Sequence, residues 1–550
     1  MLRTWQNYRF VMAYAAILAA FLWGADFAMP IEAIPDETAQ LKNVYGMINS
    51  RSLFLQYPSS YSVWTHYSYI IPTLLYWGGQ YLVGDFASLE AFKQYVLNHY
   101  QDVLPFLRGY TALIFFIGLV LIRRVLQAGL NTFQANTFVL LTGLHLLIVI
   151  NVHYSKHWMM DFGLVLISLY LYWIALHNNR NLYKYGAFFL FSVAVLSTPL
   201  FITSGIYFVA LGIRYLSRKR QVVNVVEFTL FFTALFFLTY TFLGVGGVVG
   251  SAEGLKLFAY NYLDDVLFVD FDYSPVSAVV FVLSVVYMGI MRNSTMLLLL
   301  SPYLFNLLIL SCFDHFEVRY AIYNLVVGFL AATFFLHYLY RKWHKAALFL
   351  LFLIISTNTL LVGKWLQLAD SVDTRVKARS WLSDHVGQDT FIIYNTFGFN
   401  YLPLTQLSVR YMQANFPKAV GTRESLHLAH ALDEGRNGMI MWKLTDAGYN
   451  IKNVIGAMRS AGYSVILVNE RYGHVYGKNT FWQPHVREFD LVMQGCESRV
   501  VKEILPYAKE PVDRERIGDV LYNFNYVWDT LWTLETSGPN ITVFEVEKCF

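Results

Sequence analysis

Apolar runs long enough to cross a bilayer recur from near the N-terminus to residue 363, and they constrain the fold more than anything else in the chain. A crossing helix needs about 20 predominantly apolar residues, because backbone N–H and C=O groups find no water in hydrocarbon and must pair within the segment. Charge is correspondingly scarce. Charged residues are 14% and hydrophobic residues 56% of the 550, against about 25% charged in a soluble domain. The sequence therefore describes a polytopic α-helical membrane protein. Its net charge of +4 does not point to nucleic acid, because the basic residues gather in loops beside apolar runs rather than on one face.

Those basic loops set the direction of the spans. Arg3 and Arg9 precede the first run, 10–28, which lacks a small-residue cleavage site and reads as a retained anchor starting in the cytoplasm. Further spans are expected at 105–122, 133–151 and 158–176, and two more within 185–216, divided at Ser197-Thr198-Pro199. The remainder are 226–245, 276–291, 294–312, 319–340 and 346–363. Arg123-Arg124, Arg180 with Lys184, Arg218-Lys219-Arg220, Arg292 and Arg341-Lys342 then all fall inside. The apolar segment 67–83 is interrupted by Pro72, Gly78, Gly79 and Gln80. Counting it as a crossing would put Arg123-Arg124 outside, so it reads as a helix in the interface or re-entering. About eleven transmembrane helices result, in a domain 1–363 with a long first outer loop, 29–104.

Residues 364–550 change character. Charge rises, and short β-like runs (390–394, 464–468, 542–546) alternate with helical ones such as 451–461, stopped by Gly462. This predicts a soluble α/β domain on the extracytoplasmic side. Asn395-Thr396-Phe397-Gly398 after the first strand carries one glycine and matches no nucleotide loop. Cys312, Cys496 and Cys549 suggest neither a disulfide scaffold nor a metal knuckle.

On this topology the notable ionisable residues collect at the outer margin. Asp36 and Glu37 lie a few residues beyond the first span, Asp161 sits three residues into the fourth, and Asp314, His315, Glu317 and Arg319 cluster at the outer ends of the ninth and tenth. Carboxylates supply a general base, and Arg319 with Lys42, Arg51, Lys156 or His157 supplies cations for a phosphate. Bland readings stand beside these: solvated surface for the acidic pair, dipole compensation for Asp161, a structural bridge for Arg319. The acidic loop Asp264, Asp265, Asp270 and Asp272 has irregular spacing and no nearby histidine, which favours solvation over metal binding. His145 reads as packed between helices, and His66 as an undecided member of the outer segment.

The pattern resembles the polytopic GT-C glycosyltransferases that use polyprenyl-phosphate sugar donors, close to the protein-mannosyltransferase and lipid A aminoarabinose-transferase group. Four features carry the resemblance: Asp36-Glu37 in a long first outer loop; Pro58 with the aromatic run Tyr67 to Trp77; Asp161 at the outer start of the fourth span; and Arg319-Tyr320 opening a late one. It spans roughly residues 5–340. Where aminoarabinose transferases carry Lys-Pro-Pro, this chain has Gln56-Tyr57-Pro58-Ser59, and no arginine immediately precedes Asp161, so sugar and acceptor stay open.

The resemblance implies a multi-pass protein of a prokaryotic plasma membrane, N-terminus inside. It implies catalytic roles for Asp36, Glu37 and Asp161, and a donor-phosphate site at Arg319, Tyr320, Lys42, Arg51, Lys156 and His157. His66, Asp314, His315 and Glu317 would support the acceptor. The partners would be the lipid-phosphate sugar and a hydroxyl-bearing glycan, lipid or protein; no cofactor is required, although a divalent cation assists some relatives. A lipid or glycan transporter is the rival from another class, but it predicts mid-membrane polar residues and an internal repeat, and neither is visible. A non-enzymatic scaffold predicts that changes at 36, 37 and 161 are silent.

Overall fold

The computed structural model describes residues 2–29, 35–56, 62–242, 273–291, 294–311, 318–395, 405–419, 436–471, 483–508 and 527–550. The chain gathers into two compact units. One comprises Met1–Ala25, Ala39–Thr73 and Pro105–Leu366, the other Asp26–Thr38, Leu74–Leu104 and Gln367–Phe550.

The apolar runs fold as helices, as hydrocarbon requires. In chain order the helices begin with α1 (Leu2–Leu22), α2 (Pro35–Ser50), α3 (Val63–Val83), α4 (Leu89–Asn98) and α5 (Leu104–Gly129). Next come α6 (Thr132–Gly143), α7 (Leu146–Val152), α8 (His157–Asn178), α9 (Asn181–Ser197) and α10 (Gly205–Tyr215). The series continues with α11 (Arg218–Phe242), α12 (Pro275–Met291), α13 (Ser294–Ser311), α14 (Ile322–Lys342) and α15 (His344–Ala369). Among the described residues five helices are long and apolar enough to cross a membrane, or six if a bent pair counts as one span. They are α5, α8, α11, the run Arg319–Lys342 ending in α14, and the run opening with α15. This is a multi-pass membrane protein.

One expected span takes a different local form, and one expected break is present. The run 133–151 is not one straight helix: α6 and α7 meet at a bend of 63°. His145 therefore sits at that bend rather than in mid-span, buried with its ring 5.2 Å from Phe329. Segment 185–216 does divide at Ser197-Thr198-Pro199: α9 ends at Ser197, and a 3-10 turn, Pro199–Ser204, leads into α10. Proline, without an N–H, cannot continue the α9 ladder. α3 runs unbroken through Pro72 and is not among the five long apolar helices.

Close packing fixes α8 against α5. A side chain at Gly163 would meet the backbone of Ile114 at 2.9 Å, and one at Gly118 would meet the Gly163 carbonyl at 2.9 Å. Small residues let helix backbones approach where no hydrophobic drive separates protein from lipid.

The second unit holds a five-stranded sheet of β1 (Thr390–Asn395), β2 (Asn437–Ile440), β3 (Ser464–Arg471), β4 (Cys496–Ile504) and β5 (Asn540–Cys549), in the order β2-β1-β3-β5-β4. β1 pairs parallel with β2 and β3, and β5 runs antiparallel to β3 and β4. The three expected strands are its central three. Alternation assigns the faces: Phe391, Ile393, Val465 and Leu467 pack with helical Val409, Met412, Val454 and Met458. Ile392, Tyr394, Ile466 and Val468 pack with Ala378 and Leu382 on the other side. The helix Ile451–Ser460 precedes Gly462, whose φ of +93° suits glycine.

One reading is corrected here. Cys496 and Cys549 form a disulfide, at positions directly opposite in the β4–β5 ladder. A separation of 53 residues carries no information until the strand register brings the two together.

Candidate functional site

The best-defined polar constellation lies at the start of α8. Lys156 is its N-cap residue, His157 opens the helix, and Asp161 follows one turn later. Asp161 is fully buried. Thr198 Oγ1, at the break that ends α9, donates to its Oδ2 at 2.7 Å, while Oδ1 has no partner among the described residues. Dipole compensation does not account for Asp161, because the residue lies beyond the first turn, where that effect is concentrated.

Trp158 links this corner to the turn before α14. Its ring stacks on Tyr320, centroids 4.8 Å apart at 15°, and the Arg319 guanidinium lies 5.6 Å from its centre. Lys156 Nζ is 5.9 Å from the same ring. Arg319, Tyr320, Trp158 and Thr198 line a narrow cleft whose remaining walls include Phe162 and Phe201. Cations held on an aromatic face beside apolar walls suit an anionic head group attached to a hydrocarbon chain.

Gln40 ties two further suspects together. Its side-chain N–H donates to His157 Nδ1 at 3.0 Å, and its backbone carbonyl accepts from His66 Nδ1 at 3.2 Å. Both histidines are buried. Burial pushes the His66 imidazole down to about 4, and the bond to the Gln40 carbonyl pulls the other way without cancelling it.

The structure thus brings Lys156, His157, Asp161, Arg319 and Tyr320 together through Trp158 and α8, with His66 joined through Gln40. Asp36 and Glu37 open α2 behind Pro35, which fits a first helical turn, and Glu37 is fully buried. Lys42 is half-buried on the same helix, and Arg51 is exposed just beyond its end with φ +52°. Asp314, His315 and Glu317 lie outside the described residues, as does the loop of Asp264, Asp265, Asp270 and Asp272. Among the described residues no group of three or more His, Cys, Asp or Glu side chains could hold a metal ion.

Several contributors escaped sequence reasoning. Gln40, Thr198 and Trp158 are ordinary residue types whose role appears only through their partners. Arg108 did leave a signal, a lone cation in the apolar run 105–122. It is fully buried and donates to the Ala25 carbonyl at 2.9 Å. His153 Nε2 lies 2.6 Å from the Trp23 carbonyl, so two side chains grip the turn that ends α1.

No protein-family model matches the chain, and no protein of curated function matches it either. Two solved structures of ArnT from Cupriavidus metallidurans are similar to it. The one bound to undecaprenyl phosphate has a TM-score of 0.46 and 11% identity, covering 98% of each chain. The apo structure has a TM-score of 0.49 and 12% identity, covering 91% of this chain and 97% of the other. Likeness at this level decides neither the fold nor the activity of the present chain.

Proposed function

We propose that this protein is an inverting glycosyltransferase that moves a sugar from a polyprenyl-phosphate donor to a hydroxyl of a cell-envelope glycan, glycolipid or protein at the outer face of the membrane. One observation supports this above the rest: Arg319 sits on the Trp158–Tyr320 stack at an apolar cleft, and Thr198 in the cleft wall holds the buried Asp161. Cation, apolar wall and carboxylate are what a lipid-phosphate sugar needs in one place. The motifs Asp36-Glu37, Asp161 and Arg319-Tyr320 support the same reading.

In the reaction, Asp36 takes the proton of the acceptor hydroxyl as its oxygen attacks the anomeric carbon. The bond to the phosphate oxygen breaks and its electron pair leaves with the lipid phosphate. Arg319 stabilises the charge that develops there, with Lys156, His157 and Tyr320 beside it. A single displacement inverts the sugar carbon. Glu37 and Asp161 orient the acceptor or support the base. The step as written needs no cofactor.

The topology follows the same reading: eleven spans, a long outer loop 29–104, and residues 364–550 outside, shaping access of the acceptor. The Cys496–Cys549 disulfide supports that side, since such bonds persist in oxidising compartments. The test is single-turnover transfer in nanodiscs with donor saturating. Asp36→Asn should slow it about 10²–10⁴-fold with donor affinity nearly unchanged. Near-wild-type turnover would remove Asp36 as the base.

A further inference from the structure

Two buried acceptor oxygens beside one face of α8 have no partner among the described residues: Oε1 of Gln40 and Oδ1 of Asp161. Gln40 is 2% exposed and Asp161 is fully buried. The other atom of each group is held, Gln40 Nε2 on His157 Nδ1 and Asp161 Oδ2 by Thr198. His157 and Asp161 are four residues apart on α8, so they are neighbours on one face, a single turn apart. Each carboxamide or carboxylate is therefore fixed by one hand with the other left over.

The chemistry of the leftover atoms selects the ligand. A buried acceptor without a donor is a standing penalty that a bound donor removes. Phosphate oxygens on a lipid are acceptors themselves and would add repulsion there, and a hydrocarbon chain offers nothing. A sugar hydroxyl donates a hydrogen bond that such an oxygen can accept. We infer that Gln40 and Asp161 form a hydroxyl-binding subsite that takes O–H groups of the donor's sugar, while the Arg319–Trp158–Tyr320 stack takes the phosphate. This rests on the proposed polyprenyl-phosphate donor, and it adds a specificity residue, Gln40, that no sequence motif marks.

The experiment compares binding of two probes to the full-length protein in nanodiscs: a polyprenyl phosphate, and the same lipid phosphate carrying a neutral hexose. Gln40→Met removes the leftover acceptor together with the amide donor to His157 at similar volume, and Gln40→Glu keeps an acceptor while losing the same amide donor. Gln40→Met should weaken the hexose-bearing lipid by about tenfold, the equivalent of one hydrogen bond, and leave the bare lipid within about twofold. Gln40→Glu should retain most of the sugar's added affinity, which a purely structural role would not produce. Equal loss for both lipids in Gln40→Met, or no loss for either, overturns the subsite. A sugar increment in the wild type that vanishes with chelator and returns with Mg²⁺ also overturns it, because the oxygens would then hold a cation. Should the wild type bind neither lipid, the donor reading fails by itself. A methyl hexopyranoside followed by saturation-transfer NMR then decides the subsite: signal lost in Gln40→Met keeps it, and no signal in the wild type ends it.

Discussion

Two fully buried aspartates, one in each unit, are treated in opposite ways. Asp373, in the sheet-bearing unit, is the N-cap of the helix Thr374–His385 and is saturated by Arg375. The guanidinium Nε and Nη2 each reach its carboxylate at 2.9 Å, and the Arg375 backbone N–H donates at 2.8 Å. Asp161, in the helical unit, has among the described residues one donor and one oxygen left over. A charge buried for architecture is satisfied on every side, because an incomplete shell only costs stability. One left half-satisfied is, on the proposed reading, completed by a ligand.

That contrast is sharpest when each carboxylate is removed. Asp373→Ala removes a buried carboxylate that takes three N–H bonds from Arg375 and uncaps a helix, so the sheet-bearing unit should lose about 3–5 kcal/mol. Asp161→Ala should change the unfolding midpoint little and abolish most sugar transfer. Thermal unfolding alongside single-turnover assays of both variants checks this. A large stability loss for Asp161→Ala with transfer intact would make the two aspartates alike.

The disulfide extends the architectural side of the comparison. Cys496→Ser should cost about 2–4 kcal/mol by freeing the ends of β4 and β5, without altering donor binding in the helical unit. Limited proteolysis of the C-terminal segment, read beside a lipid-phosphate binding assay, separates these effects. Donor binding that falls with the disulfide would join what the comparison keeps apart.

The two units were also unequally legible in the sequence. β1, β3 and β5 could be read because period-2 alternation fixes both the strand and its faces, and Gly462 marked a helix end by its backbone freedom. The apolar runs announced helices but little about where each side chain points, since a run such as 146–152, buried throughout, has no polar stripe to orient it. Hence the bend at His145 could not be read, while the break at Thr198-Pro199 could, because proline supplies a mechanism. Candidate-site residues stood out where charge is improbable, as at Asp161 and Arg319. Gln40, Thr198 and Trp158 were not, because polar and aromatic residues in such segments acquire meaning only from what they touch. The Cys496–Cys549 pair needed the strand register.

A third prediction uses pH to probe the helical unit. His66 is neutral in the folded state, held down to about 4 by burial, whereas an unfolded histidine titrates near 6.5. Between those values the unfolded chain binds the extra proton, so its contribution is fully present above about pH 6.5 and is lost as pH falls toward 4. Lowering the pH from 7.5 to 5 should cost about 2 kcal/mol through this group. His66→Gln should flatten that part of the profile, measured as unfolding midpoints in detergent. An unchanged slope would mean that another group carries it.

The smallest effect, and the finest test of the arriving-ligand side, is at Arg319. Its guanidinium lies 5.6 Å from the Trp158 ring and 5.9 Å from that of Tyr320, so it contributes both charge and a flat face. Arg319→Lys keeps the charge and loses the planar fork, and an ammonium packs less well on an aromatic stack. Arg319→Ala loses both. Donor affinity should therefore fall in two steps: about three- to tenfold for lysine, matching a cation–π contribution of roughly 0.5–1.5 kcal/mol, and further for alanine. Trp158→Leu should reproduce the lysine step, because it removes the face while leaving the guanidinium. Combined with Arg319→Lys it should add little, since both changes delete one shared interaction. Titration with a lipid-phosphate analogue measures all four variants on one scale. Full additivity of Arg319→Lys and Trp158→Leu would show that the stack does not act through Arg319. Equal affinity for wild type and Arg319→Ala would take the cation out of the site altogether, leaving Asp161 with its unmet oxygen but no phosphate beside it.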